Sequence, residues 1–135
     1  MIKEDYTSME TAKLLKEKGF DEESWCAYNL VTEKFAREIV DWNFRYNHGL
    51  PNYVASAPTL QMAMKWLREV HRLHIEIVPN PLNFEHQDIQ DGWGCEVMHL
   101  SDLSYDGNYE FFQKKYPTYE EACEAAIKYC LENLI

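Results

Sequence analysis

Leu60-Gln61-Met62-Ala63-Met64-Lys65-Trp66-Leu67-Arg68-Glu69-Val70-His71-Arg72-Leu73-His74-Ile75-Glu76-Ile77-Val78-Pro79 changes its period part-way along. Leu60, Ala63, Met64, Leu67 and Val70 recur three and four residues apart, a stripe widened by Met62 and Trp66. Lys65, Arg68, Glu69 and Arg72 fall mainly on the other side, as on an amphipathic helix with one buried face. Thr59 stands where a hydroxyl can cap the first orphan N–H groups. From His74 to Val78 the chain is short and β-branched, which reads as a strand. Pro79-Asn80-Pro81 ends it, because proline cannot donate to a ladder. A helix that runs directly into a strand marks a chain of mixed α and β structure.

Downstream, two further strands are expected, Trp93 to about Leu100 and Tyr109 to about Phe112, with Asp106-Gly107 as the turn between them. In the first of these, Cys95 and Val97 alternate with Glu96 and Met98, so one face is the more apolar. Leu82–Gly92 reads as a loop. Short connections favour pairing in sequence order, hence an antiparallel meander. The last element opens at Thr118 with Glu121 three residues on, a capping box. Tyr119, Ala122, Cys123, Ala126, Ile127, Cys130, Leu131 and Leu134 then form its apolar stripe, with Glu124 and Lys128 as a favourable pair.

Upstream, Thr7 and Glu10 have capping-box spacing before a short helix. Gly19 and Phe20 fit a Schellman ending in which Phe20 touches Leu15. Between Ser24 and Asn52 the pattern is mixed. Phe35, Ile39, Trp42 and Tyr46 keep helical spacing behind a cap at Thr32, whereas Val40, Trp42, Phe44 and Tyr46 alternate like a strand. Aromatic and β-branched enrichment tips the second half toward strand, and Gly49-Leu50-Pro51-Asn52 closes it as a turn. The expected architecture is one α+β domain over residues 1–135. In it a small antiparallel sheet of about three strands packs with about three helices, at 8–18, 60–71 and 118–133.

With 135 residues, 46% hydrophobic and 14% aromatic, the chain can bury a core without disulfides or metal. Its apolar runs are too short for a membrane span or a secretory leader, so a cytoplasmic protein is expected. Cys26, Cys95, Cys123 and Cys130 have no disulfide-dense spacing. Cys123 and Cys130 lie roughly 10 Å apart along one helix, too far to bridge, and all four are read as reduced.

Charge is distributed unevenly. The net charge is -10, and between Leu73 and Gln113 there are eight carboxylates and no lysine or arginine. An acidic balance of this kind argues against direct nucleic-acid binding and suits a basic partner. Trp93, Tyr105, Tyr109, Phe111 and Phe112 interleave with those acids, and aromatics beside carboxylates suit a protein-binding surface. The candidate binding residues are therefore Glu85, Asp88, Asp91, Trp93, Asp102, Tyr105 and Asp106. A core role for the rings is the competing reading.

No glycine-rich phosphate loop, Cys-x-x-Cys, Gly-x-Ser-x-Gly or His-Glu-x-x-His is present. His71, His74 and Glu76 come closest to a metal-ligand cluster, but nothing in the sequence signals the preformed geometry a metal needs, and histidines flanking a helix end, where the dipole favours a cation, are the preferred reading. Neither a catalytic residue, a metal site nor a cofactor is assigned. Lys65, Arg68 and Arg72 form a basic ridge that reads as a solvated face.

Ala55–His71, followed by Ile75-Glu76-Ile77, resembles a segment of small uncharacterised proteins of phages, prophages and related mobile elements. Tyr116–Ala122 is similar to the start of their last helix. The resemblance covers about a third of the chain and carries no functional residue. It implies a mobile-element setting and an accessory or interaction role. The leading expectation is a non-enzymatic protein-interaction domain. Two alternatives are an acidic nucleic-acid mimic that occupies a DNA-binding protein, and a small metal-dependent or cysteine hydrolase using His71, His74 or His99, or Cys26 or Cys95. Oligomeric state is left open.

Overall fold

Thr59 accepts the Met62 N–H at 3.1 Å, and the helix that follows, α2, spans Leu60–His71. It ends without a glycine: Arg72 takes the left-handed conformation at φ 58°, returns its N–H to the Leu67 carbonyl, and delivers the chain straight into a strand. A computed structural model describes residues 2–79 and 92–135. The expected loop at 82–92 lies outside the described residues apart from Gly92.

In chain order the remaining helices are α1 (Met9–Glu17), α3 (Tyr109–Phe112) and α4 (Tyr119–Asn133). The strands are β1 (Ala27–Asn29), β2 (Phe35–Ala36), β3 (Val54–Ser56), β4 (Leu73–Pro79), β5 (Trp93–His99) and β6 (Ser104–Tyr105). They form two antiparallel sheets, ordered β2-β1-β3 and β4-β5-β6. The class is α+β, a small sheet packed with helices. No helix among the described residues is long and apolar enough to cross a membrane.

The core lies between the β4–β5 sheet and helices α2 and α4. Leu73, Ile75, Cys95 and Val97 face Leu60, Ala63, Met64, Trp66, Leu67, Cys123, Ala126, Ile127, Cys130 and Leu131, with Leu15 and Phe20 closing one side. Burying a side chain of this size contributes about 1.5–3 kcal/mol, so this layer supplies most of the driving force. On the α2 stripe, Val70 and Met62 stay 54% and 38% exposed, which narrows the buried face to the part that meets the sheet.

The Schellman ending of α1 forms: the Phe20 N–H reaches the Leu15 carbonyl at 2.9 Å and Gly19 sits at φ 93°. Its start differs from the expectation. Ser8 is the cap, accepting the Thr11 N–H at 3.2 Å, because the Thr7 hydroxyl is buried and donates to the Pro58 carbonyl at 3.1 Å. Glu10 is thereby free to pair with Lys128 at 2.8 Å, and Glu124 accepts from Ser8. These two contacts replace the expected Glu124–Lys128 pair and tie α1 to α4.

Two strand assignments are corrected. Residues 42–45 form a 3-10 turn, because Asp41 accepts the Asn43 N–H at 3.0 Å and so caps a helical start. Tyr109–Phe112 is a short helix for the same reason, with Asn108 accepting the Phe111 N–H at 3.2 Å. The third strand of the sheet is Ser104–Tyr105. It is reached by a turn at 100–103 that places Leu103 at φ 59°, upstream of the expected Asp106-Gly107 turn. The β1–β2–β3 sheet has no counterpart in the sequence reading. Its β1–β2 connection turns on Asn29, whose carboxamide oxygen accepts the Val31 and Thr32 N–H groups at 3.0 Å, with Glu33 at φ 61° standing where a glycine would be the usual signal.

Candidate functional site

The alternation along β4 and β5 sends Leu73, Ile75, Cys95 and Val97 inward and leaves His74, Glu76, Glu96 and Met98 half-buried on the outer face. In the register of the pair, Glu76 stands directly opposite Glu96. Like charges facing each other across a ladder are destabilising, by some tenths of a kcal/mol up to about 1 kcal/mol. A cation set between two such carboxylates would offset a repulsion of that kind.

At the β6 end the chain turns back and α3 begins. Leu103, Tyr105 and Tyr109 are 70%, 55% and 76% exposed, three large apolar side chains within seven residues. Tyr105 and Tyr109 belong to a pocket of about 160 Å³ lined by Glu96, Val97, Tyr105, Asp106, Gly107, Tyr109 and Phe112, and Leu103 lies outside that lining, on the preceding turn. Asp102 lies on the turn itself, exposed, with one carboxylate oxygen accepting from the Ser104 hydroxyl at 2.6 Å and the Ser104 N–H at 3.1 Å. Those bonds, the hydroxyl first, lower its pKa, so it is anionic over the whole neutral range.

Asp106 behaves differently from Asp102. Its side chain is 13% exposed and both oxygens are taken, one by His99 Nε2 at 2.9 Å and the other by the Tyr129 hydroxyl at 2.5 Å. Burial alone would raise its pKa, but the bonds from Tyr129, His99 and the Asn108 backbone outweigh burial, and the net shift is downward. Tyr129 is pushed up to about 12, first by burial and then by its bond to Asp106. Its ring stacks on Phe111 at 4.2 Å and meets Phe112 edge-on at 5.1 Å. Asp106 therefore fastens the start of α3 to α4 beneath the pocket.

Of the candidates read from the sequence, Tyr105 and Asp106 line this one pocket, and Asp102 lies on the adjoining turn. Trp93 sits at the far end of β5, bonded through its backbone to Tyr116 at 2.7 and 2.8 Å, with its ring edge-on to Tyr119 at 5.5 Å. It belongs to the packing of α4. Glu85, Asp88 and Asp91 lie outside the described residues. Tyr129 and His99 were not among the binding candidates. Tyr129 is three residues after Ala126, on the buried side of α4, and that spacing was the available signal.

The chemistry of the remaining candidates is limited by their surroundings. His71 rests edge-on to Trp66 at 4.6 Å, and burial lowers its pKa. His74 is on the outer sheet face, 3.7 Å from Glu76. Among the described residues no three His, Cys, Asp or Glu side chains converge as a metal site. All four cysteines are free and buried. Burial pushes the Cys95 and Cys123 thiols up to about 11 and Cys130 to about 12, away from the thiolate a nucleophile needs. Ser104 is the cross-strand partner of His99, but its hydroxyl is donated to Asp102, so the two are not a nucleophile and its base.

The fold is α+β, a small sheet packed with helices, and the β5–β6–α3 end exposes Leu103, Tyr105 and Tyr109. No protein-family model matches the chain, and comparison with curated proteins and with solved structures finds no match.

Proposed function

We propose that this chain is a non-enzymatic protein-interaction domain that engages a basic partner through the β5–β6–α3 end of its larger sheet. The observation that carries the reading is the exposure of Leu103, Tyr105 and Tyr109 within seven residues, the two tyrosines lining a pocket whose charged lining residues are Glu96 and Asp106. Exposed apolar side chains gathered in one place and rimmed by charge are a feature of contact surfaces. Carboxylates around them supply orientation and rate of encounter with a positive partner. The sequence between Leu73 and Gln113 adds no lysine or arginine to oppose that field.

The spread of the described acids favours this reading over nucleic-acid mimicry. Glu76 and Glu96 share the outer sheet face, Asp102 is on the turn, Glu110 is on α3, and Asp106 is committed to holding α3 on α4. The saturated Asp106 carboxylate and the raised pKa of the Cys95 thiol favour it over a hydrolase built on either group. The likeness of Ala55–His71 and Tyr116–Ala122 to small phage and prophage proteins supports an accessory role in a mobile element. Four free cysteines accord with a cytoplasmic setting.

The test is quantitative co-purification from a bacterial lysate, comparing the native chain with a Leu103→Ser, Tyr105→Ser, Tyr109→Ser variant. A partner held by the native chain and released by the variant is the expected result. Recovery of nothing above background, or equal recovery by both proteins, contradicts the reading.

A further inference from the structure

The pocket between β5 and α3 combines three kinds of wall. Tyr105 and Tyr109, both more than half exposed, line it together with Val97 and Phe112, and Glu96 and Asp106 are its two acidic lining residues. Its volume, about 160 Å³, suits the end of one long side chain rather than a drug-sized ligand. Aromatic faces carry negative quadrupole potential and attract ammonium and guanidinium groups, most strongly where water is partly excluded. Carboxylates beside them add direct Coulomb attraction. The same helix already holds one contact of this type on its other ring, with Lys114 Nζ 5.5 Å from the centroid of Phe111.

A second observation, independent of the pocket's shape, is the register of the sheet. Glu96 is the cross-strand partner of Glu76, so two acidic residues share one face of the sheet there, with His74 3.7 Å from Glu76. A cation entering the pocket would offset that repulsion as well as meet the rings.

From this arrangement we infer that the pocket lined by Glu96, Tyr105, Asp106, Tyr109 and Phe112 receives a single cationic side chain, a lysine or arginine, of the protein partner. The inference rests on the interaction reading above and specifies the group recognised. Asp106 acts in it as a fixed negative floor, oriented by His99 and Tyr129. Glu96 and the two tyrosines make the direct contacts.

The test uses the full-length, isotopically labelled protein titrated with butylammonium chloride and methylguanidinium chloride, followed by backbone amide shifts. Sodium chloride at matched ionic strength and neutral butanol serve as references. The expected result is saturable shifts confined to residues 94–112, weakened about two- to five-fold in each of Glu96→Gln and Tyr109→Ala. Both positions reach the surface, and unchanged shifts elsewhere verify that the variants fold. Shifts that sodium chloride or butanol reproduce, or that persist at full strength in both variants, overturn the inference. If the cations give no saturable shift while the Leu103→Ser, Tyr105→Ser, Tyr109→Ser variant still loses a co-purifying partner, the cationic-pocket inference falls and the interaction reading stands.

Discussion

The two sheets have the same number of strands and are held by different forces. The β4–β5–β6 sheet lies under α2 and α4 and closes over Leu67, Val97, Ile127 and Leu131, each at or below 1% exposure. The β1–β2–β3 sheet buries mainly small side chains, Cys26, Ala27, Ala55 and Ala57, and its fixed points are polar. Asn47 donates to the Phe20 carbonyl at 2.7 Å and accepts the Ser56 N–H at 2.9 Å. Lys16 donates to the carbonyls of Pro51 and Val54 at 2.7 and 2.6 Å, and Arg45 covers the Trp25 ring at 3.4 Å. One sheet is secured by apolar area, the other by a few directed bonds.

That contrast predicts where substitutions hurt. Leu67→Ala, at the centre of the first region, is expected to cost about 2–5 kcal/mol, the lost transfer energy plus the cavity left behind, measured as a shift in the urea unfolding midpoint. Asn47→Ala in the second region leaves a buried carbonyl and a buried N–H without partners, and about 2 kcal/mol should be lost by the same measurement. If Asn47→Ala costs nothing while Ala55→Gly is severe, the second sheet depends on packing after all, and the contrast fails.

Legibility from sequence follows the same division. Helices α2 and α4, the Phe20 ending of α1 and strands β4 and β5 were readable because apolar burial leaves a period of 3.6 or 2 in the chain. The 24–56 region leaves no such trace, since its turns rely on Asn29 and Asp41 side chains and on Glu33 and Glu38 in left-handed backbone, without the glycines that usually mark such positions. Val40, Trp42 and Phe44 alternate like a strand, yet they are 88%, 59% and 48% exposed. The alternation there reports no buried face. Around the pocket, Tyr105, Asp106 and Asp102 are the residues that the interleaving of aromatics with acids had put forward as candidates. The inward turn of Asp106 was not, because its partners His99 and Tyr129 lie on different elements that only the fold brings together.

Asp106 supplies a pH-dependent comparison between the two regions. Its folded-state pKa lies below the ordinary carboxylate value of about 3.9, so its contribution is complete above that pH and is lost as pH falls through the folded value. Asp106→Asn should lower stability at neutral pH by about 1.5–3 kcal/mol, and the gap from the native chain should close on acidification below about pH 4. Urea titrations at pH 7 and pH 3 check this, and a gap that widens at pH 3 would contradict it. The smallest effect is expected at Val40, where a Val40→Ser change on an exposed segment should stay within about 0.5 kcal/mol in thermal unfolding.

The central claim is that the β5–β6–α3 end recognises a basic partner, and selection of a displayed random peptide library on the immobilised chain tests it most directly. The account predicts selected peptides in which lysine or arginine is flanked by apolar residues, with binding lost in the Leu103→Ser, Tyr105→Ser, Tyr109→Ser variant. Selected peptides without basic residues, or binding that survives in that variant, would contradict it.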